Sequence, residues 1–342
     1  IFTLIFIVIG GGMALFIANR ISKPISSLTK SVETITSGDL ETNIVDSSSS
    51  REVSNLSNGI IAMKDSIRGK INDIEVINAS YERFVPKEFL TLLQKKSIID
   101  VEIGDNSSLE MSVLFSDMRN FTMISEKLSP QQSFKFLNNY LDKMTPAIND
   151  NQGFIDKYIG DAIMALFPNE PDDAVQAAIE MNKALKLLNK DKASDHVNMG
   201  IGIHMGTLVL GTIGKDTRME TTVISDTVNS SARLESLNKV YGTSILISGG
   251  VRFSLSDSLQ SQSRLIDLTA VKGKSALLEV YEVLNPDITD HYSSKLETSE
   301  ILEKVVKYFF DNKVDSAAKE LKKISKYRKT DNVVQYWVDR LK

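Results

Sequence analysis

The first nineteen residues, IFTLIFIVIGGGMALFIAN, carry no charge, and no other feature restricts the fold of this chain as strongly. As a helix they would span about 28 Å, close to the hydrocarbon thickness of a bilayer. Arg20, Lys23 and Lys30 follow at once, as is typical of the cytoplasmic end of a span. We therefore predict one transmembrane helix over 1–19, in contact with lipid of the cell (inner or plasma) membrane, with the remainder cytoplasmic. A buried core helix is the alternative.

Two amphipathic segments follow the apolar stretch. Apolar residues recur near helical spacing at Ile21, Ile25, Leu28, Val32 and Ile35, and again at Val53, Leu56, Ile60, Met63 and Ile67. Pro24, the GDL of residues 38–40 and Glu52 stand where HAMP signal-relay modules usually have a proline, a similar turn and a glutamate, so residues 20–70 resemble such a module. A generic juxtamembrane coiled coil is the alternative, and either one predicts a parallel dimer.

The sequence changes character again after residue 70. Residues 71–107 predict a linker helix followed by a polar stretch. From 108 to 286 strand-like and helix-like segments alternate, which favours an α+β domain of the ferredoxin-like βαββαβ type. Residues 287–342 predict two or three amphipathic helices that form a packing appendage, with a tetratricopeptide-type hairpin as the alternative. Because the chain begins at Ile1 rather than a methionine, we expect it to be part of a longer protein.

The amino-acid composition limits the metal sites, the catalytic groups and the partners that the chain can have. The chain has no cysteine, which excludes disulfides and thiolate chemistry, and only three histidines: His196, His204 and His291. Any metal would therefore sit on oxygen ligands, which favours Mg²⁺ or Mn²⁺ over zinc. A formal net charge of −4 argues against a nucleic-acid partner.

Two aspartates occupy positions that need explanation. Asp117 follows the apolar strand MSVLF, and Asp161 comes directly after the turn glycine of GFIDKYIGD. An acid at the end of a buried strand is costly unless a positive group pairs with it. Taken singly, Asp117 could be a helix cap and Asp161 a solvated turn residue. Together they would be two hard oxygen ligands, suited to two divalent ions on a triphosphate.

The segment between the aspartates reads as a crossover helix. Ser129 serves as N-cap, Pro130 as the first helical residue, and Gln132 completes a capping box. A strand, a helix and a hairpin in this order can bring both aspartates to one edge of a sheet. The predicted core stripe of the helix is Phe134, Leu137, Leu141, Met144 and Ile148.

Other polar residues are weaker candidates. Asn229 and Arg233 lie four apart, on one face of a helix that Asp226 is predicted to cap. An amide beside a guanidinium suits a sugar oxygen and a phosphate charge, although an exposed polar face is the alternative. The loop VKGKSA over 271–276 favours phosphate contact or is a basic surface turn. Strand alternation predicts that Asp156 points away from Lys157.

Taken together, FSDMRNFT, DKYIGDAIMALF, RMETTVISDTVNSSARLE and VKGK resemble the class III nucleotide cyclases, in order and spacing, over roughly residues 108–285. The resemblance implies that Asp117 and Asp161 bind two Mg²⁺ or Mn²⁺ ions, with the Met118 carbonyl as a further ligand. It also implies the substrate contacts: phosphate contacts from Phe121, Thr122 and Lys272, adenine recognition by Lys157 and Thr222, ribose orientation by Asn229, and stabilisation of the transferring phosphate by Arg233.

The resemblance implies an adenylyl cyclase that converts ATP to 3′,5′-cyclic AMP and pyrophosphate, by attack of the ribose 3′ oxygen on the α-phosphate. Because the family builds each site from two chains, it implies a homodimer with shared active sites, regulated through the HAMP-like module. Lys157 favours ATP, since guanylyl enzymes typically place an acid at this position. The alternatives are a guanylyl cyclase and a catalytically inactive cyclase-like signalling receptor.

Overall fold

The computed structural model of the chain describes residues 2–44, 50–81, 84–190, 196–215, 217–270 and 277–342. The chain divides into two compact units, Ile1–Phe84 and Val85–Lys342.

The first unit is helical. Helix α1 (Phe2–Ile17) runs through a π-helical turn (Ala18–Ser22) into α2 (Lys23–Thr36), and α3 (Arg51–Tyr81) follows. By length and composition, Phe2–Thr36 is the one helix of the described residues able to cross a membrane. No residue of α1 is buried, so the core-helix alternative is wrong.

Helices α2 and α3 share a small apolar cluster formed by Leu28, Ile35, Ile44 and Val53. The second amphipathic segment and the start of the expected linker helix form one continuous helix of 31 residues. Its apolar residues beyond this cluster are largely exposed: Leu56, Met63, Ile67, Ile71, Ile74 and Ile77. In this protomer α3 therefore presents an unburied apolar stripe.

The second unit is a sheet covered by helices. Its strands are β1 (Asn106–Arg119), β2 (Phe154–Ile159), β3 (Ala162–Phe167), β4 (Asn198–Lys215), β5 (Arg218–Ile224), β6 (Ile245–Ser248), β7 (Ser263–Ala270) and β8 (Leu277–Val283). Its helices are α4 (Lys87–Leu92), α5 (Phe121–Ser125), α6 (Pro130–Asn149), α7 (Pro171–Lys190), α8 (Asp226–Tyr241), α9 (Gly249–Ser254), α10 (Asp257–Ser261), α11 (Tyr292–Phe310), α12 (Val314–Ile324) and α13 (Asn332–Arg340).

The sheet has the ferredoxin-like arrangement that the sequence predicts. Strands β2, β3, β1 and β4 lie side by side in that order, and each neighbouring pair is antiparallel. With α6 and α7 as the crossovers, this is the βαββαβ unit. Strand β6 pairs parallel with β4 and leads to β8 and β7, while β5 pairs with the far end of β4.

Alternating side chains of β1 enter different cores, as a strand covered on both faces requires. Leu114 packs with Tyr140 and Met144 of α6, whereas Val113 packs in a second cluster with Phe89 and Leu208. The sheet is thus packed on both faces.

Two predicted helix details need correction. The capping box of Ser129 and Gln132 is confirmed, but Phe134 is 70% exposed and the buried residues of α6 begin only at Tyr140. Phe136 and Leu137 pack on the edge of the core as partly buried residues, whereas Phe134 at the start of the helix lies beyond it, which local periodicity does not reveal. Ser225, not Asp226, caps α8: its hydroxyl accepts from the N–H of Thr227.

The C-terminal helices pack on β7 and α8, as expected for a packing appendage. Trp337 is fully buried, and its Nε1–H donates to the carbonyl of Ile266. Below it lies the buried Arg264, whose guanidinium pairs with Glu282 and Asp331 at 2.6 Å each. The tail therefore completes the core of the second unit.

Candidate functional site

Asp117 and Asp161 lie side by side. The register of β1 and β3 pairs Ser116 with Ile163, which brings the residues after Ser116 opposite the turn that precedes β3. In that turn Gly160 has φ +65°, a conformation that glycine adopts without strain. The carboxyl of Asp161 is hydrogen-bonded to Asp117 and accepts from the backbone N–H of Met118. The carboxyls of Asp117 and Asp161 are therefore direct neighbours at one edge of the sheet.

The electrostatics of this pair suit a cation. Burial and the neighbouring charge of Asp117 raise the pKa of Asp161 to about 6. Within the described residues, no lysine or arginine forms an ion pair with either aspartate. Two carboxylates completed by substrate phosphates are a common donor set for Mg²⁺. The described residues contain no group of three or more His, Cys, Asp or Glu that could enclose a metal. The pair therefore fits a divalent ion that is also held by substrate.

The turn after Asp117 leads into α5. Asn120 has φ +63°, which asparagine tolerates better than most residues, and Phe121 and Thr122 begin the helix. Phe121 stacks on Phe136 with ring centroids 6.4 Å apart, whereas Thr122 is exposed. Of these two candidate phosphate contacts, Thr122 is exposed and Phe121 is half-buried.

Lys157 and Thr222 form a second group. Lys157 lies on β2 and Thr222 on β5, 65 residues later, yet Nζ of Lys157 donates to Oγ1 of Thr222 at 3.4 Å. In the part of the chain that the structure describes, neither residue has a hydrogen bond or ion pair to Asp117 or Asp161. The expected base-reading residues thus meet each other without joining the aspartate pair.

The prediction for Asp156 was wrong. Ile155 pairs with Ala165 while Lys157 pairs with Met164, so Asp156 is the extra residue of a β-bulge. The bulge breaks strand alternation, and Oδ2 of Asp156 lies 3.4 Å from Nζ of Lys157. The two side chains therefore share one side of the strand.

Helix α8 carries the other candidates on its outer face. Asn229 and Arg233 are both exposed, and Nη2 of Arg233 donates to Oγ1 of Thr269 on β7 at 3.4 Å. The inner face of α8 lies directly on β4: a Cβ on Gly202 would come within 2.2 Å of the backbone nitrogen of Glu235. Lys272, the remaining candidate, lies outside the described residues.

Sequence reasoning missed one acidic residue near the aspartates. Burial and the charge of Asp117 raise the pKa of Glu235 to about 7, while Arg119 opposes this shift. Glu235 follows Ser231 by four residues on the inward face of α8, which also includes Leu234 and Asn238. An acid at a half-buried helical position, one turn after Ser231, was the signal that could have found it.

An antiparallel ferredoxin-like sheet whose first strand and following hairpin each present an aspartate fits the catalytic domain of a class III nucleotide cyclase. The chain belongs to the adenylate and guanylate cyclase catalytic domain family, which residues 104–285 match. Residues 16–69 match the HAMP domain. Together with the apolar helix, this indicates a membrane-anchored protein.

Comparison with individual proteins agrees with this family. The chain is 40% identical to an adenylate cyclase of Anabaena cylindrica over 80% of this chain and 57% of that protein. It is 36% identical to the terminal-differentiation-specific adenylate cyclase of Dictyostelium discoideum over 73% of this chain and 12% of that protein. The chain thus spans little more than half of the first relative and about a tenth of the second.

Solved structures show the same fold. A bacterial light-regulated adenylyl cyclase superposes with a TM-score of 0.57 at 24% identity, covering 70% of each chain.

Proposed function

We propose that this protein is an adenylyl cyclase that forms 3′,5′-cyclic AMP and pyrophosphate from ATP. The contact between Lys157 and Thr222 is the observation that carries the proposal. A lysine donor suits the adenine ring nitrogen N1, and a threonine oxygen can accept from the exocyclic amine. Guanine carries a hydrogen on N1, to which an ammonium cannot donate. The named relatives of Anabaena and Dictyostelium, both adenylate cyclases, point the same way.

Asp117 and Asp161 are proposed to hold the divalent ions that this family requires, either Mg²⁺ or Mn²⁺, with the Met118 carbonyl as a further ligand. Such ions, when bound, supply positive charge to the triphosphate and lower the pKa of the ribose 3′ hydroxyl. The N–H of Met118 keeps the Asp161 carboxyl oriented. Thr122, Phe121 and Lys272 are proposed to contact the phosphates.

Asn229 and Arg233 are proposed to orient the ribose and to stabilise the charge that develops on the transferring phosphate. The planar guanidinium of Arg233 suits this task, since it can donate two parallel hydrogen bonds to phosphate oxygens. Both side chains are exposed on the outer face of α8. They would act without proton transfer, as positioning and electrostatic groups.

We propose that two copies share each active site. Among the described residues, no hydrogen bond or ion pair joins the aspartate pair to the lysine–threonine pair, and in this family a second chain completes each site. Exposed apolar side chains along the β4–β5 hairpin support a contact between copies: Val209, Ile213, Met219 and Ile224. The HAMP domain would pair the protomers through the exposed stripe of α3 and regulate how the catalytic domains meet.

The deciding experiment measures cyclic nucleotide formed from ATP and from GTP, each with Mg²⁺ and with Mn²⁺, using the full chain in membranes. We expect cyclic AMP with either ion, and an ATP preference of at least about tenfold in kcat/KM. Asp161→Ala should reduce turnover at least about a hundredfold, because one of the two carboxylates is lost. Turnover that survives this change would refute the assignment of Asp161 as a metal ligand. A preference for GTP would refute ATP as the substrate.

A further inference from the structure

The bulge in β2 creates an unusual buried carboxylate. Asp156 has no partner residue on β3, and its side chain is only 2% exposed. Its Oδ2 has no hydrogen-bond partner within the described residues and faces the ammonium of Lys157 at 3.4 Å. Burial raises the pKa of Asp156, and the charge of Lys157 opposes this shift. A buried carboxylate of this kind is costly unless the neighbouring cation compensates it.

Three oxygens surround the ammonium of Lys157. Oδ2 of Asp156 and Oγ1 of Thr222 each lie at 3.4 Å, and Oε1 of Glu220 lies at 3.9 Å. Glu220 is 62% exposed, so water screens its attraction. The attraction of Asp156 acts in a less polar surrounding and is correspondingly stronger. Asp156 is therefore the main electrostatic anchor of Lys157.

We propose that Asp156 is a positioning residue for base selection: by anchoring Lys157, it keeps the ammonium aligned with adenine N1. This inference rests on the proposed adenylyl cyclase function. Lysine is a flexible point charge with three donors and sets no direction by itself. A free ammonium could equally donate to O6 of guanine, which is an acceptor. Lysine at this position discriminates between the bases only when it is held in place.

The bulge is what makes this possible. In a regular strand, neighbouring side chains point to opposite faces, and Asp156 could not reach Lys157. The extra residue turns the carboxylate toward the ammonium while keeping it out of water. Lys157 and Thr222 contact the base, and Asp156 acts only through Lys157.

The test is Asp156→Asn in the full chain in membranes, with kcat/KM measured for ATP and GTP. Asparagine keeps the shape and removes the charge. We expect the ATP-over-GTP ratio to fall at least about tenfold, mainly through a higher KM for ATP, with kcat for ATP changed less than threefold. Glu220→Gln is the matched control, since it removes the exposed carboxylate beside the same lysine; its ratio should stay within twofold of wild type.

An unchanged ratio in folded Asp156→Asn overturns the inference, and so does an equal loss for both nucleotides, which indicates a purely structural role. Should Asp156→Asn fail to fold, Asp156→Glu keeps the charge but moves it by one methylene, and its ratio should fall at least threefold. An unchanged ratio there also overturns the inference. Wild-type ATP turnover, measured first, tests the proposed function separately.

Discussion

At the scale of single residues, the ionised carboxyl of Asp161 lowers the stability of the folded protein. Asp161 is a carboxyl whose pKa is raised in the folded state, first by burial and then by the charge of Asp117. A folded pKa above the unfolded value means that the ionised group destabilises the fold at high pH and costs nothing below pH 4. A destabilising residue of this kind is expected at a functional site, where a bound ligand offsets its cost.

We therefore predict that Asp161→Asn stabilises the metal-free protein while it removes activity. The amide can still accept from the N–H of Met118 and donate to Asp117. After allowance for solvent screening, the gain at pH 8 should be about 1 kcal/mol, or roughly 2–4 °C in Tm, with little gain at pH 4.

Thermal denaturation followed by the fluorescence of Trp337, the only tryptophan, measures this change. Added Mn²⁺ should raise the Tm of the wild type and leave that of Asp161→Asn nearly unchanged, since a ligand stabilises only the form that binds it. Equal stabilisation of both proteins would contradict the metal assignment.

At the scale of elements, the close approach of α8 to β4 depends above all on Gly202. A Cβ on Gly202 would lie 2.2 Å from the nitrogen of Glu235 and 2.3 Å from the carbonyl oxygen of Ser231, both backbone atoms of α8. Backbone cannot move aside as a flexible side chain can, so the helix would have to shift as a whole.

Gly202→Ala should destabilise the second unit by about 3 kcal/mol. Because α8 carries Asn229 and Arg233, activity should fall further than the folded fraction does. Gly250→Ala is the control: its nearest neighbour, Cγ of Met205, lies at 3.7 Å, an ordinary contact. The free energy of unfolding in denaturant and kcat are measured for both variants. Equal stability of the two would show that α8 does not pack as closely on Gly202 as the structure indicates.

The tail is joined to the sheet by a buried ion cluster. Burial alone would raise the pKa of Asp331, but hydrogen bonds from Arg264 and its charge outweigh burial and lower it. A lowered folded pKa contributes stability above the unfolded value near 3.8, and this contribution is lost as pH falls through the folded pKa.

Acidification below pH 3.8 should therefore weaken the attachment of the tail, seen as a shift of Trp337 fluorescence. Arg264→Ala leaves the buried carboxylate of Asp331 without its ion-pair partner, while Glu282 keeps Lys295, and should cost about 3 kcal/mol at pH 7. Lys323→Ala removes an exposed partner of Glu320 and should leave stability nearly unchanged, because solvent screens a surface ion pair. If Arg264→Ala is as mild as this control, the cluster does not hold the tail.

At the scale of the whole molecule, the chain divides before Val85, and the second unit has its own core. A fragment of residues 85–342 should fold alone yet lose the pairing that we propose for the first unit. Its activity per mole of chain should rise with protein concentration, as for a weakly associating dimer, while that of the full chain in membranes stays constant. Assays with ATP over a dilution series measure this activity, and sedimentation measures the fraction of dimer. A fragment whose activity per mole does not change with concentration would contradict shared active sites.

Sequence alone determined the features that depend on local chemistry. Three features could be predicted in this way: an apolar helix near the start of the chain, the capping box at Ser129, and the proximity of Asp117 and Asp161. They depend on charge, helix capping and strand ends, which are short-range properties. The ferredoxin-like order followed from the succession of strands and helices.

Only the tertiary structure decided which side chains meet across strands and helices. The bulge that turns Asp156 toward Lys157 depends on the register between β2 and β3, and the place of Glu235 depends on how closely α8 approaches Gly202. The exposure of Phe134 likewise depends on where the core ends beneath α6. Register and packing arise from contacts between residues distant in sequence, so local periodicity carries no record of them.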